Sequence, residues 1–175
     1  MFNKILVVTS PNSSKGGDPE TSVLTNYANV AKEVFKNLNP STDIYFSQGP
    51  MDVLDHSCSK MGFGGKMCVD GTFKFDEEID ENFLDAVSNF TLEIAGEVKE
   101  KFHEVKEINF SLIEKDIPVL IISVEKNKKN HIRELHEAIT EMKAIEGIKI
   151  ILYVEHTVDA NDLPIALWRF CNNLD

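Results

Sequence analysis

Lys4-Ile5-Leu6-Val7-Val8-Thr9 and Asp43-Ile44-Tyr45-Phe46-Ser47-Gln48 bracket the stretch that decides the fold class. Both are short runs rich in β-branched or aromatic residues, the composition of a strand. Between them lies a polar, glycine-containing loop through Gly17, then Asp18 as a helix cap with Pro19 at the first helical position. Val23, Leu24, Tyr27, Val30, Ala31, Val34, Phe35 and Leu38 recur at steps of three and four residues, the single apolar face of a helix, and Pro40 stops it. Strand, helix and strand at this spacing predict a right-handed crossover and a parallel pair.

The segment that follows, 49–75, reads as a long glycine-rich loop: it holds five of the nine glycines and has no clear period. Phe83, Val87, Phe90, Ile94, Val98 and Phe102 then predict one long amphipathic helix from Asp80 to about His103. Ile108–Ile113 and Pro118–Val124 read as strands joined by the short turn Glu114–Ile117, which favours a hairpin. A helix over Asn130–Ile145 with Gly147 as terminator, a strand over Ile148–Val154 and a last helix over Asp162–Asn172 complete the pattern. This order predicts a single α/β domain over 1–175, three-layered, with a mixed, mostly parallel sheet of about five strands flanked by helices. The first and last units also resemble each other, Lys4-Ile5-Leu6-Val7-Val8 paralleling Lys149-Ile150-Ile151-Leu152-Tyr153. After the first helix the chain makes a strand; after the last it stops. The pattern alone fits a piece of a larger multidomain protein and a natural C-terminal helix equally.

With a net charge of -11 the chain repels phosphate backbones and anionic membranes, which disfavours nucleic acid as a partner. No apolar run approaches the roughly 18 residues of a membrane span. The opening residues carry no signal-peptide pattern, and three irregularly spaced cysteines do not make a disulfide framework. A reducing cytoplasm fits these features.

Chemistry is sought first in the glycine-rich segment. Gly62-x-Gly64-Gly65-Lys66 lacks the P-loop spacing and the Ser or Thr after the lysine. His56, Cys58 and Cys68, with Asp52 or Asp55, lack the tight paired spacing of a zinc site. Cys58 and His56 are too close in sequence to act as nucleophile and base without a strained turn. His103, His131, His136 and His156 are scattered and read as surface or packed residues, and Trp168 reads most simply as core. No catalytic, cofactor-binding or metal residue is assigned.

Pro40-Ser41-Thr42-Asp43, then Gly49-Pro50-Met51-Asp52-Val53-Leu54-Asp55-His56, resemble a stretch of UbiD-type decarboxylases in which Pro-x-x-Asp leads into a strand and then Gly-x-x-Asp and Leu-Asp-His/Pro. Gly65-Lys66-Met67-x-x-Asp70-Gly71-Thr72-x-Lys74 is similar to the family's Lys-Met-Gly-Ile-Asp-Ala-Thr-x-Lys, with Cys68 in place of glycine and Gly71 in place of alanine, both small, tolerable changes. Val154-Glu155-His156-Thr157-Val158-Asp159 through Leu163-x-x-Ala166-Leu167-Trp168-Arg169 is similar to the family's strand, acidic turn and Trp helix. Residues 80–145 read as an insertion between the halves of the pattern, as in a longer bacterial subgroup.

The resemblance implies the C-terminal region of a 3-octaprenyl-4-hydroxybenzoate carboxy-lyase type enzyme. Such lyases decarboxylate prenylated hydroxybenzoates or related aromatic acids in quinone biosynthesis. They use prenylated FMN with manganese and a monovalent cation, held in an earlier domain with a Glu-Arg-Glu set that this chain does not show. It further implies a closure and oligomerisation role, inactive alone, with the rest of the parent chain and further copies of itself as partners. Asp55, His56, Lys66, Asp70, Thr72 and Lys74 would then be lid or interface loop residues. The alternative is an autonomous small-ligand or nucleotide-binding domain using the 62–74 loop.

Overall fold

The computed structural model of the chain describes residues 4–10, 26–52, 58, 60–79 and 89–172. Two compact units make it up, Met1–Asp85 with Leu174–Asp175 and Ala86–Asn173. The α/β class and the mixed pairing hold. The strands are divided between two three-stranded sheets, one per unit, where one sheet of about five had been expected.

The first unit contains β1 (Ile5–Thr9), α1 (Tyr27–Asn37), β2 (Ile44–Pro50) and β3 (Phe63–Gly71). Its sheet runs β1-β3-β2. β3 pairs parallel with β1, Ile5 opposite Met67 and Thr9 opposite Gly71, and antiparallel with β2, Ile44 opposite Val69 and Pro50 opposite Phe63. Two expectations are therefore corrected. The 49–75 loop contains the nine-residue strand β3, and β1 and β2 do not form a parallel pair, because β3 lies between them. β3 reads Phe-Gly-Gly-Lys-Met-Cys-Val-Asp-Gly, a poor strand by propensity, but hydrogen bonds to a neighbour on each side hold it extended.

Asn26 sets where α1 begins. It is extended, with φ -139, and its Oδ1 accepts from the N–H groups of Ala28 at 2.8 Å and Asn29 at 3.3 Å. This breaks the expected continuous helix at Asn26; the Asp18 cap and Pro19 lie outside the described residues. Val34 and Leu38 pack on Val69, with Val30, Phe35, Ile44 and Met67 around them.

The second unit contains α2 (Leu92–Lys101), β4 (Val105–Asn109), β5 (Val119–Val124), α3 (His131–Thr140), β6 (Ile150–Glu155) and α4 (Leu163–Asn172). β4 and β5 form the expected antiparallel pair, although β4 lies earlier than the expected Ile108–Ile113 and Ile113–Lys115, within the expected strand end and turn, form a 3-10 helix; β5 and β6 run parallel with α3 as crossover. Every residue of β5 is buried, as a central strand requires. Leu120, Ile122 and Val124 pack with Val98, Leu135 and Ile139 from α2 and α3. The expected helix from Asp80 is shorter in its described part: Thr91 Oγ1 accepts from the Ile94 N–H at 3.4 Å and starts α2 there. Likewise α3 ends at Thr140, and a 3-10 turn at Lys143–Ile145 precedes Gly147, which takes φ 86.

The likeness between Lys4–Val8 and Lys149–Tyr153 falls on equivalent strands, β1 and β6, each the outer strand parallel to a central one. Trp168 is corrected: it is 57% exposed, with the Arg169 guanidinium 5.3 Å from its ring centre.

Candidate functional site

α/β sheets bind ligands beyond the carboxyl ends of their parallel strands, and in the first unit that end carries a polar cluster. β3 finishes at Asp70-Gly71, and Thr72 turns back on Asp70: its N–H and Oγ1 both donate to Asp70 Oδ1, at 3.0 and 2.6 Å. Lys74 then reaches inward. Its Nζ lies 3.2 Å from Asp43 Oδ2 and 3.5 Å from Asp70 Oδ2, and donates to the Asp70 carbonyl at 3.3 Å. The Lys74 side chain is 6% exposed and that of Asp43 10%, so this pair is almost fully dehydrated, while Asp70 at 36% stays partly wet.

Asp43 is held from its other side. The Asn39 N–H donates to its Oδ2 at 2.8 Å and the Thr42 hydroxyl to its Oδ1 at 3.1 Å. Its own carbonyl accepts the Asp70 N–H at 2.9 Å. Ser10, just after β1, accepts the Phe73 N–H on its Oγ at 2.8 Å. The cluster thus clamps the ends of β1, β2 and β3 together.

Of the candidate residues, Asp70, Thr72 and Lys74 converge here. Lys66 does not: it belongs to the other end of β3, where it lines a separate cleft. Asp55 and His56 lie outside the described residues. Asp43 was not among the site candidates, although Pro40-Ser41-Thr42-Asp43 was singled out as a motif. Its partner lies 31 positions on, beyond the reach of local pattern.

Burial alone would raise the Asp70 pKa, but the two hydrogen bonds from Thr72 and the charge of Lys74 outweigh it and hold the carboxyl below its ordinary value of 3.8. A depressed folded pKa means stability that is present above the unfolded pKa and lost as pH falls through the folded one. Asp70→Asn should therefore lower the unfolding free energy measured by urea denaturation at pH 7, by under about 1 kcal/mol for so exposed a group. The gap from wild type should close as pH falls below 3.8. A gap unchanged down to pH 2.5 or so would show that the carboxylate charge is not what matters.

Elsewhere His131 is a packed residue, as expected of it: its Nε2 lies 3.1 Å from Glu104 Oε1, and its Nδ1 accepts the Asn127 N–H at 3.3 Å. Burial pushes the Tyr153 hydroxyl up to about 12, beside His136 Nδ1 at 3.1 Å. Among the described residues no three His, Cys, Asp or Glu side chains converge to hold a metal ion. Nor is any helix among them long and apolar enough to cross a membrane.

Residues 3–71 and 87–175 match the family described as 3-octaprenyl-4-hydroxybenzoate carboxy-lyase C-terminal domain. The chain belongs to the UbiD family. This match corrects the reading of 80–145 as an insertion, since only 72–86 falls between the matched stretches of the UbiD C-terminal domain. Thr72 and Lys74 lie in that interval, yet their partners Asp43 and Asp70 lie inside the match.

Two relatives of the UbiD chain are an uncharacterized protein of Aquifex aeolicus (strain VF5) and one of Helicobacter pylori (strain J99). The first is 39% identical over 69 residues, covering 39% of this chain and 13% of the relative. The second is 30% identical over 134 residues, covering 74% and 20%. The chain therefore spans a fifth or less of the length of these relatives. Among solved structures, a vanillic acid decarboxylase of Sedimentibacter hydroxybenzoicus aligns with a TM-score of 0.40 at 16% identity, covering 71% of this chain and 28% of that one.

Proposed function

We propose that this chain is the closure and oligomerisation domain of a UbiD-type non-oxidative decarboxylase. Its parent would act on a prenylated hydroxybenzoate or related aromatic acid in the cytoplasm. The reaction would take place elsewhere in the parent protein, which would hold prenylated FMN, manganese and a monovalent cation. The partners of this region are then the rest of its own chain and further copies of the parent, not nucleic acid.

The observation that carries the reading is apolar surface turned outward. Leu6 and Tyr45 flank Cys68 across the first sheet, with Val8 on the same face, and all three are exposed. In the second unit Ile165, Leu167 and Trp168 stand exposed on α4. Apolar surface of this kind marks an interaction face. Support also comes from the polar motif: Asp70, Thr72 and Lys74 are engaged with one another and with Asp43, which is structural work.

The test is direct. The purified chain, given prenylated FMN, manganese, potassium and hydroxybenzoates, should release no carbon dioxide. In sedimentation it should form species larger than its 19.7 kDa monomer. Turnover by this chain alone, or a strict monomer at high micromolar concentration, would overturn the reading.

A further inference from the structure

In the second unit the parallel strands β5 and β6 end side by side, Val124 opposite Glu155, and a cleft of about 370 Å³ opens there. That volume is within the usual size range of small-molecule sites, and the crevice beyond the carboxyl ends of parallel strands is where α/β sheets take ligands. Its shape follows from the alternation of the two strands. On β5, Ile122 and Val124 face α3, where they pack with Leu135 and Ile139. On β6, Tyr153 turns the same way, since its hydroxyl reaches His136 Nδ1 on α3 at 3.1 Å. Glu155, two positions beyond Tyr153, falls on that same face of β6. Val124 and Tyr153 thus form the floor, Ile132 of α3 a wall, and Lys126 and Glu155 the mouth. Val154 and His156 complete the lining.

The floor is apolar apart from the Tyr153 hydroxyl. The mouth carries one charge of each sign. Lys126 and Glu155 stand on adjoining strand ends and both are exposed, yet they do not pair with each other. Charges close by in sequence do pair, Lys106 with Glu125 at 2.7 Å and Lys128 with Glu134. Among the described residues neither the Lys126 nor the Glu155 side chain makes a hydrogen bond or an ion pair. The cleft therefore offers an ammonium and a carboxylate that are both available, above apolar walls.

We propose that this cleft binds a small zwitterion with an apolar body, of the aliphatic α-amino acid class. The carboxylate of the ligand would take the Lys126 ammonium, its ammonium the Glu155 carboxylate, and its side chain would point down toward Val124 and Ile132. A ligand of one sign would engage one of the two charges and be repelled by the other. An uncharged ligand would engage neither. Both polar contacts lie at a mouth open to water, so affinity is modest and falls as salt rises.

L-Leucine is the probe, titrated calorimetrically into the full chain at low and at physiological salt. Saturable binding at millimolar concentration or below is expected, weaker at higher salt. On the unaltered chain, isocaproate, which lacks the ammonium, and isoamylamine, which lacks the carboxylate, should each bind about tenfold more weakly or worse. Lys126→Gln and Glu155→Gln, both at exposed positions, should each weaken leucine by a similar factor with an unchanged melting temperature. Lys60→Gln in the other unit should leave leucine binding as it is. No binding of leucine at millimolar concentration would overturn the proposal, as would a wild-type affinity in either cleft variant. Either analogue binding as tightly as leucine would overturn the zwitterion class. None of these outcomes bears on the assembly role, which is read by sedimentation and turnover.

Discussion

Lys74→Ala is expected to destabilise the first unit by about 3–5 kcal/mol, the largest effect of any single polar substitution in the clamp. The reason is asymmetry. Lys74 and Asp43 are both nearly sealed from water, 3.2 Å apart, so removing the ammonium strands a carboxylate that the fold cannot rehydrate. The Asn39 N–H and the Thr42 hydroxyl still reach Asp43, and they keep the loss from being larger. Asp70 keeps its Thr72 bonds and its partial exposure, and contributes little to the penalty. Asp43→Asn in the Lys74→Met background should recover most of the loss, because neutralising both buried partners removes the stranded charge. Urea denaturation monitored by a probe in the first unit measures both. A Lys74→Ala loss under 1 kcal/mol or so would mean that water reaches Asp43 far more freely than its burial indicates.

Gly71→Ala should cost about 3 kcal/mol, the upper end of what overpacking usually does. A Cβ at Gly71 would sit 2.8 Å from the Cα of Val34 and 2.7 Å from its Cγ1. Two of its three nearest neighbours thus include a backbone atom and the branch of a stiff side chain, neither of which can rotate away. Gly71 is not in a left-handed conformation, so the cost is contact alone. Gly64 makes the comparison: its nearest neighbour would be the movable Cys58 Sγ at 2.9 Å, and Gly64→Ala should cost less. The motif to which Asp70–Lys74 is similar carries alanine at this position. Here the glycine is not an incidental small residue; it is what lets α1 lie this close to β3. Thermal melts of the two variants, with Val34→Ala added to Gly71→Ala for partial rescue, decide the point. Equal stability of Gly71→Ala and wild type would show that α1 yields freely.

The outcome across elements has a consistent cause. β1, β2, β5 and β6 were readable because their β-branched and aromatic runs carry the signal within a few residues. The antiparallel pairing of β4 with β5 was expected, but the short turn assumed for it was not found: β4 ends at Asn109, and the connection over 110–118 carries a 3-10 turn at Ile113–Lys115. Helix bodies were readable from their period, while their starts were not: Asn26 and Thr91 cap in the middle of continuous apolar patterns. Asp70, Thr72 and Lys74 do converge, but Asp70 belongs to the strand β3 rather than to a loop, and only Thr72 and Lys74 follow it in the turn beyond Gly71.

From composition and pattern alone came the α/β class, the acidic surface and the motif series that places the chain among UbiD proteins. Those are sums over side chains or repeats within a short window, and they survive without knowledge of partners. The central position of β3, its parallel and antiparallel neighbours and the meeting of Asp43 with Lys74 came only from the folded chain. A glycine-rich strand has almost no local preference to read; it is a strand because β1 and β2 supply hydrogen bonds on both sides, and those bonds join residues far apart in sequence.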